Sequence, residues 1–154
     1  MLRTLMLLLL LSLSALAASE IAPKQGATFS NTFVWDGREL QPKSGATFNN
    51  TWVFDGKEIK RKSGATLNNT WQWDGRELRP KSGATFANTF VWDGCVLQPK
   101  TGATFTNSWT FDGKEWQTKS GATFANTWVV TGDIPIPVAA VVVLHQMLAP
   151  LEHL

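Results

Sequence analysis

The side chains that could take part in catalysis or ligand binding recur every 19 residues. Each is therefore considered together with its equivalents in the other copies. One aspartate precedes a glycine in five successive copies, an order that is typical of tight turns and also offers carboxylates to a cation. Calcium-binding β-roll repeats need further acidic and glycine positions, which these copies lack. The turn is therefore the favoured interpretation for Asp36, Asp55, Asp74, Asp93 and Asp112.

No constellation of catalytic residues accompanies these aspartates in the sequence. The two histidines, His145 and His153, follow the repeats, and Cys95 is the single cysteine. The sequence shows no Ser/His/Asp set, no metal-ligand spacing of Cys or His and no Gly-rich phosphate loop. It therefore predicts a protein that is not an enzyme, with no catalytic residue, cofactor or metal.

Threonines fall into two columns when the copies are aligned. On the outward face of a coil, these two columns and the column of small residues between them would make a flat surface of three columns. Such a surface resembles the Thr-rich ice-binding face of insect antifreeze solenoids, which implies ice binding as one alternative function. The high strand propensity of threonine explains the same pattern without a ligand. The candidate surface-binding residues are Thr28, Thr47, Thr66, Thr85, Thr104 and Thr123 in the first column and Thr32, Thr51, Thr70, Thr89 and Thr127 in the second.

Aromatic residues and one asparagine mark the opposite face of each copy. The chain has eight Trp, and aromatic side chains on a surface could stack on sugar rings, so a carbohydrate-binding module is a second alternative function. Their strict alternation favours a core role instead. A buried amide needs partners, so the asparagines are predicted to bond to one another in a structural ladder. They are Asn31, Asn50, Asn69, Asn88, Asn107 and Asn126.

The copies follow one another without insertion or deletion, which predicts a stacked repeat architecture. Within the second copy, residues 46–54 alternate with period two and predict a nine-residue strand. Asp55-Gly56 predicts a tight turn, and residues 57–60 predict a shorter strand. The copies begin at Pro23, Pro42, Arg61, Pro80, Pro99 and Thr118.

Two all-β folds suit this unit. In a β-solenoid each copy is one coil and residue i lies on residue i+19; in an antiparallel β-hairpin meander each copy is one hairpin. A single-layer meander would expose a face of aromatic rings far larger than soluble proteins tolerate. The favoured prediction is therefore a tandem 19-residue-repeat β-solenoid with a short C-terminal cap, and the meander is the alternative.

The ends of the chain have a different composition. Arg3, an apolar run and Ala15-Leu16-Ala17 predict a signal peptide at 1–17, followed by a six-copy repeat domain at 18–132. Residues 133–154 are predicted to be an apolar capping segment, in which 138–148 forms a short helix or a strand-like plug. A membrane tail is the competing interpretation, but the apolar run is too short to span a bilayer. The uncovered N-terminal side of the stack could accept the edge of another molecule.

The net charge and the predicted export limit the partners that are expected. Loss of Arg3 with residues 1–17 would leave 13 basic and 12 acidic residues, a net charge of +1. This argues against a nucleic-acid partner, and no membrane span is expected in the mature chain. Cys95 could form a disulfide-linked dimer. The sequence predicts a secreted, non-enzymatic structural or adhesive protein of the cell surface, extracellular matrix or periplasm, acting through self-assembly or contact with cell-surface glycans.

Overall fold

The computed structural model describes residues 18–144, which form twelve short antiparallel strands, one α-helix and two single-turn 3-10 helices at Leu67–Asn69 and Phe124–Asn126. Each strand pairs with its neighbours in the sequence, and the last pairs with the first, so the sheet closes into a barrel. The strands are β1 (Ser19–Pro23), β2 (Phe33–Trp35), β3 (Glu39–Pro42), β4 (Trp52–Phe54), β5 (Glu58–Arg61), β6 (Trp71–Trp73), β7 (Glu77–Pro80), β8 (Phe90–Trp92), β9 (Val96–Pro99), β10 (Trp109–Phe111), β11 (Glu115–Thr118) and β12 (Trp128–Thr131), and the helix is α1 (Ile136–Val143).

The Asp-Gly pairs make the tight turn of each hairpin. Between β4 and β5, the Asp55 carboxylate accepts hydrogen bonds from the backbone N–H groups of Lys57 at 2.9 Å and Glu58 at 2.7 Å. Gly56 has a φ of 95°, which glycine adopts without steric cost. Aspartate and glycine therefore fix the turn together, and the register of Trp52 opposite Arg61 and Phe54 opposite Ile59 follows from it.

Strand β1 completes the last hairpin and closes the barrel. It pairs with β12 through Ile21 opposite Val130 and with β2 through Ile21 opposite Phe33, so both of its edges are occupied. The sixth copy lacks a second strand of its own, and β1 supplies it from the other end of the chain. At this junction, a Cβ on Gly132 would lie 2.5 Å from the Ser19 hydroxyl oxygen, so the closure requires glycine.

Alternate residues of the wall point into the barrel and form its core. The second strand of every hairpin contributes one aliphatic or indole side chain that is at most 1% exposed. Cross-strand partners such as Trp35 and Trp52, which both face Leu40, point to the same side and are also buried. The six innermost side chains are Ile21, Leu40, Ile59, Leu78, Leu97 and Trp116.

Helix α1 fills the lumen. All residues from Pro137 to Leu144 are buried, and they share one core cluster with inward side chains from around the barrel. A helix that is apolar on every side must be enclosed. Twelve strands about 4.8 Å apart and tilted by about 40° make a tube about 24 Å across. A helix about 10–12 Å wide then leaves about 6 Å on each side for the side chains of the wall.

The all-β class is confirmed, but the solenoid is wrong: successive copies are hairpins of an antiparallel meander. An open, single-layer meander would expose its aromatic face to solvent. In the closed sheet this face turns inward and packs around α1. The helix expected near 138–148 is present as α1, but it lies in the lumen. The described part of segment 133–154 contains a helix within the barrel instead of a cover over an open end, and β1 leaves no free edge on the N-terminal side.

The predicted nine-residue strand at 46–54 is also wrong. Only Trp52–Phe54 is strand, and residues 43–51 form a loop. Residues 1–17, and with them the predicted signal peptide, lie outside the described residues. Within 18–144, no helix is both long and apolar enough to span a bilayer.

Candidate binding rim

Six loops of nine residues stand at one end of the barrel, and we call this end the loop rim. Strands of an antiparallel meander alternate in direction, so every loop between hairpins lies at the same end and every Asp-Gly turn lies at the other. The chain enters the lumen from the turn end, and Val141 and Val142 lie near the rim. The rim consists of residues 24–32, 43–51, 62–70, 81–89, 100–108 and 119–127.

Each loop is held by its own asparagine and threonine. In the second loop, the Asn50 amide oxygen accepts from the Thr47 N–H at 2.7 Å, and its amide nitrogen donates to the Gly45 carbonyl at 3.0 Å. The Asn50 N–H lies 3.4 Å from the Thr47 hydroxyl, which completes a reciprocal arrangement like a capping box. The same amide contacts recur at Asn31, Asn69, Asn88, Asn107 and Asn126. The predicted Asn ladder between copies is therefore wrong, because each amide is satisfied within its own loop.

The two threonine columns have different environments. The first column, which is Thr28, Thr47, Thr66, Thr85, Thr104 and Thr123, is exposed on the loops. The second column, which is Thr32, Thr51, Thr70, Thr89 and Thr127, is buried at 2–6% exposure. Thr51, for example, donates its hydroxyl to the Thr47 carbonyl at 2.7 Å. The flat face of two columns is therefore not formed, although ligand binding by the first column stays a prediction.

One large apolar side chain on each loop is exposed to solvent. The five phenylalanines are 64–67% exposed and the leucine of the third loop is 60% exposed. The sequence pattern places these residues on the inward face, because the alternation of the strand runs through them without a break. The Thr-x-x-Asn spacing is the signal that could have revealed the loop instead. The set is Phe29, Phe48, Leu67, Phe86, Phe105 and Phe124.

A lysine from the next loop lies over each ring, and all of these lysines except Lys119 also pair with a glutamate of the barrel wall. The Lys62 ammonium is 5.0 Å from the centre of the Phe48 ring and 2.8 Å from the Glu39 carboxylate. The same ion pair joins Lys24 to Glu115, Lys43 to Glu20, Lys81 to Glu58 and Lys100 to Glu77. Exposed pairs of this kind contribute at most about 1 kcal/mol each, so we assign them to positioning of the loops rather than to stability.

Between a loop and the neighbouring lysine lies a depression, which we call a rim groove. The groove at Phe124 has a volume of about 340 Å³ and is lined by Lys24, Gln117, Ala122, Thr123, Phe124 and Thr127. The groove at Phe105 has a volume of about 320 Å³, with Gln98, Ala103, Thr104, Phe105, Ser108 and Lys119 in the equivalent positions. Each groove therefore combines an exposed ring with an amide, a hydroxyl and an ammonium group.

A further cavity of about 310 Å³ lies where the lumen meets the rim. Phe33, Trp52 and Trp128 line it together with Val141 and Val142 of α1. Arg61 also lines it, at a position that proline occupies in the preceding copy, and its guanidinium group lies 4.2 Å from the Trp52 ring centre. Arg61 also donates to the Asn49 carbonyl at 2.9 Å, so this arginine is engaged in contacts of the protein.

The remaining side chains that could bind a metal or react lie apart from one another. In the part of the chain from 18 to 144, no three His, Cys, Asp or Glu side chains are grouped so that they could hold a metal ion. Cys95 is exposed in the turn between β8 and β9, where its N–H donates to Asp93 at 2.9 Å. Its pairing with a second molecule stays a prediction.

Comparison with known proteins adds no relative to this geometry. No protein-family model matches the chain, and neither a curated protein nor a solved structure matches it.

The Asp-Gly turns at the opposite end of the barrel make the free energy of unfolding depend on pH in the acidic range. Backbone N–H groups that donate to Asp55, Asp74, Asp93 and Asp112 lower the pKa of each carboxyl below 3.8. A lowered pKa contributes stability that is fully present above the unfolded value and is lost as the pH falls through the folded value. We expect the free energy of unfolding to fall as the pH drops below about 4.

The check is urea unfolding between pH 6 and pH 2. A variant with asparagine at these four positions keeps an acceptor oxygen in each turn but has no carboxyl to titrate, so its stability should vary less with pH. Parallel pH profiles for the two proteins would contradict the expectation.

Proposed function

We propose that this protein is a non-enzymatic adhesive protein of the cell exterior, and that it holds polysaccharide in the grooves of its loop rim. The observation that carries the proposal is the set of five phenylalanine rings that are 64–67% exposed at equivalent positions on one rim. Exposed apolar groups in such a pattern are a mark of contact surfaces. An adhesive role follows from their repetition, since several weak sites on one rigid body bind a repeating polymer with avidity.

A carbohydrate suits the composition of the grooves. The apolar face of a sugar can lie on an aromatic ring while its hydroxyl groups bond to nearby amides and hydroxyls. At Phe124, these groups are Gln117 and Thr123, and the lysine in the groove is already paired with Glu115. The groove is thus close to neutral, which favours a neutral polysaccharide over nucleic acid.

The loops are prepared for binding before a ligand arrives. Each phenylalanine sits between a threonine and an asparagine that bond to each other's backbone, as Thr47 and Asn50 do around Phe48. A loop whose backbone is already ordered loses little freedom on binding, which raises affinity. The proposal does not include edge-to-edge assembly, since β1 and β12 pair with each other. The export that it requires rests on the predicted signal peptide.

The test is retention of the purified protein on microcrystalline cellulose, chitin and insoluble β-1,3-glucan. We expect retention on at least one of them, and we expect Phe48→Ser combined with Phe86→Ser to lower the affinity about tenfold or more. Leu67→Ser is the matched control, because it removes an equally exposed side chain that has no ring to stack on a sugar. Substitution of exposed residues should leave the unfolding curve close to that of the parent.

Two results would refute the proposal. One is the absence of retention on all three polymers, and the other is an equal loss of affinity in Leu67→Ser and in the double phenylalanine variant.

A further inference from the structure

One rim groove differs from the others in charge. At five positions around the barrel, the lysine that begins a loop is paired with a glutamate on the outer wall at 2.6–2.8 Å. Lys119 occupies the sixth position and lies 5.2 Å from the centre of the Phe105 ring, as its counterparts lie over theirs. The glutamate position is taken by Val96, and among residues 18–144 no carboxylate forms an ion pair with Lys119, whose charge acts on Asp93 only from beyond ion-pair distance. The Phe105 groove therefore carries a net positive charge.

We propose that the Phe105 groove is a subsite for a carboxylated sugar, a uronic acid residue of the bound polysaccharide. This inference rests on the proposed function, and it adds the chemical class that one of the six positions prefers. The sugar ring would lie on Phe105, and its carboxylate would bond to Lys119. At the other positions a glutamate of the protein already supplies the carboxylate that pairs with the lysine, as Glu39 pairs with Lys62 at 2.8 Å.

The rest of the groove fits an acidic sugar. Gln98 and Thr104 line it and offer an amide and a hydroxyl to the sugar hydroxyls. Its volume of about 320 Å³ is close to that of the Phe124 groove, so the two differ in charge rather than in size. A bond between an ammonium group and a carboxylate is among the stronger polar contacts, because both partners are charged. Lys119 is on the surface, so the preference should weaken as salt is added.

The other copies of the repeat supply the variant that tests this subsite. Val96→Glu places at the sixth position the residue that the wall already carries at Glu20, Glu39, Glu58, Glu77 and Glu115. The fold therefore accepts it, and the new carboxylate would pair with Lys119. Arg38→Gln is the matched control, because it makes the same change in net charge in an exposed turn at the other end of the barrel.

Calorimetric titration with tetragalacturonate and with its neutral methyl ester measures the preference. We expect the parent protein and Arg38→Gln to bind the acid about three- to fivefold more tightly than the ester, the upper range of one exposed ion pair. Val96→Glu and Lys119→Met should bind both compounds alike. Retention of all three variants on the neutral polymer that binds the parent should persist, since the other grooves are unchanged.

An acid preference that survives in Val96→Glu, or that is lost equally in Arg38→Gln, would overturn this inference and leave the proposed function intact. Binding of neither compound by the parent would also overturn it. Failure of the parent to bind any polymer would overturn both.

Discussion

Ile21→Ala is expected to lower the free energy of unfolding by about 2–4 kcal/mol, although Ile21 lies in a terminal strand of five residues. The side chain is fully buried and belongs to the same inward column as Leu78, which is also 0% exposed. Its loss leaves a cavity, and it also weakens the strand that joins β12 to β2. Leu78→Ala, in the middle of the sequence, should therefore cost about as much.

Urea unfolding followed by tryptophan fluorescence measures both variants. Glu20→Gln is the control on the outer face of the same strand; it removes only an exposed pair with Lys43 and should cost less than about 1 kcal/mol. A small effect of Ile21→Ala beside a large effect of Leu78→Ala would mean that β1 does not complete the barrel.

Val138→Asp is expected to prevent folding. Val138 is 0% exposed in α1, inside the lumen, and within the described residues it lies in a core cluster of apolar side chains. Burial of an unpaired carboxylate costs more than the 5–15 kcal/mol by which small domains are stable, unless the group takes up a proton. Val138→Ala, which only removes two methyl groups, should fold with a loss of about 2 kcal/mol.

Circular dichroism and urea unfolding distinguish these outcomes. Ala87→Asp is the control for added negative charge, because Ala87 is exposed on a loop of the rim and should tolerate the change. A Val138→Asp protein with the stability of the parent would place α1 in water rather than within the wall.

The hairpin was accessible to sequence reasoning, but the closed form was not. Trp52–Phe54, the Asp55-Gly56 turn and the inward position of Ile59 follow from period two and turn chemistry. Closure depends on residues far apart in the chain. One signal was present: Glu20, Ile21 and Pro23 stand 19 residues before Glu39, Leu40 and Pro42, which marks β1 as half of a hairpin. The apolar residues on every side of α1 were a second signal, because such a helix needs an enclosure.

The candidate site was harder to predict because two patterns overlap in the loop. Phe48 continues the alternation of Trp52 and Phe54, so it falls on the inward face if the strand is extended back. The hydrogen bonds between Thr47 and Asn50 stabilise a loop in place of a longer strand, and the Phe48 ring is therefore exposed to solvent. Side-chain bonds to nearby backbone groups override a pattern of this length. The unpaired charge of Lys119 became visible only when the pairing across 23 residues was known.

The helix in the lumen also limits how many units this architecture can contain. Duplication of a 19-residue unit is a common way for tandem sequences to grow, and in an open stack one more unit would simply lengthen the rod. Here a seventh unit would widen the tube from about 24 Å to about 28 Å and leave a gap around the same central segment. The size of the central helix is thus matched to a barrel of six units. A related protein with five or seven units would need a smaller or larger segment in its lumen.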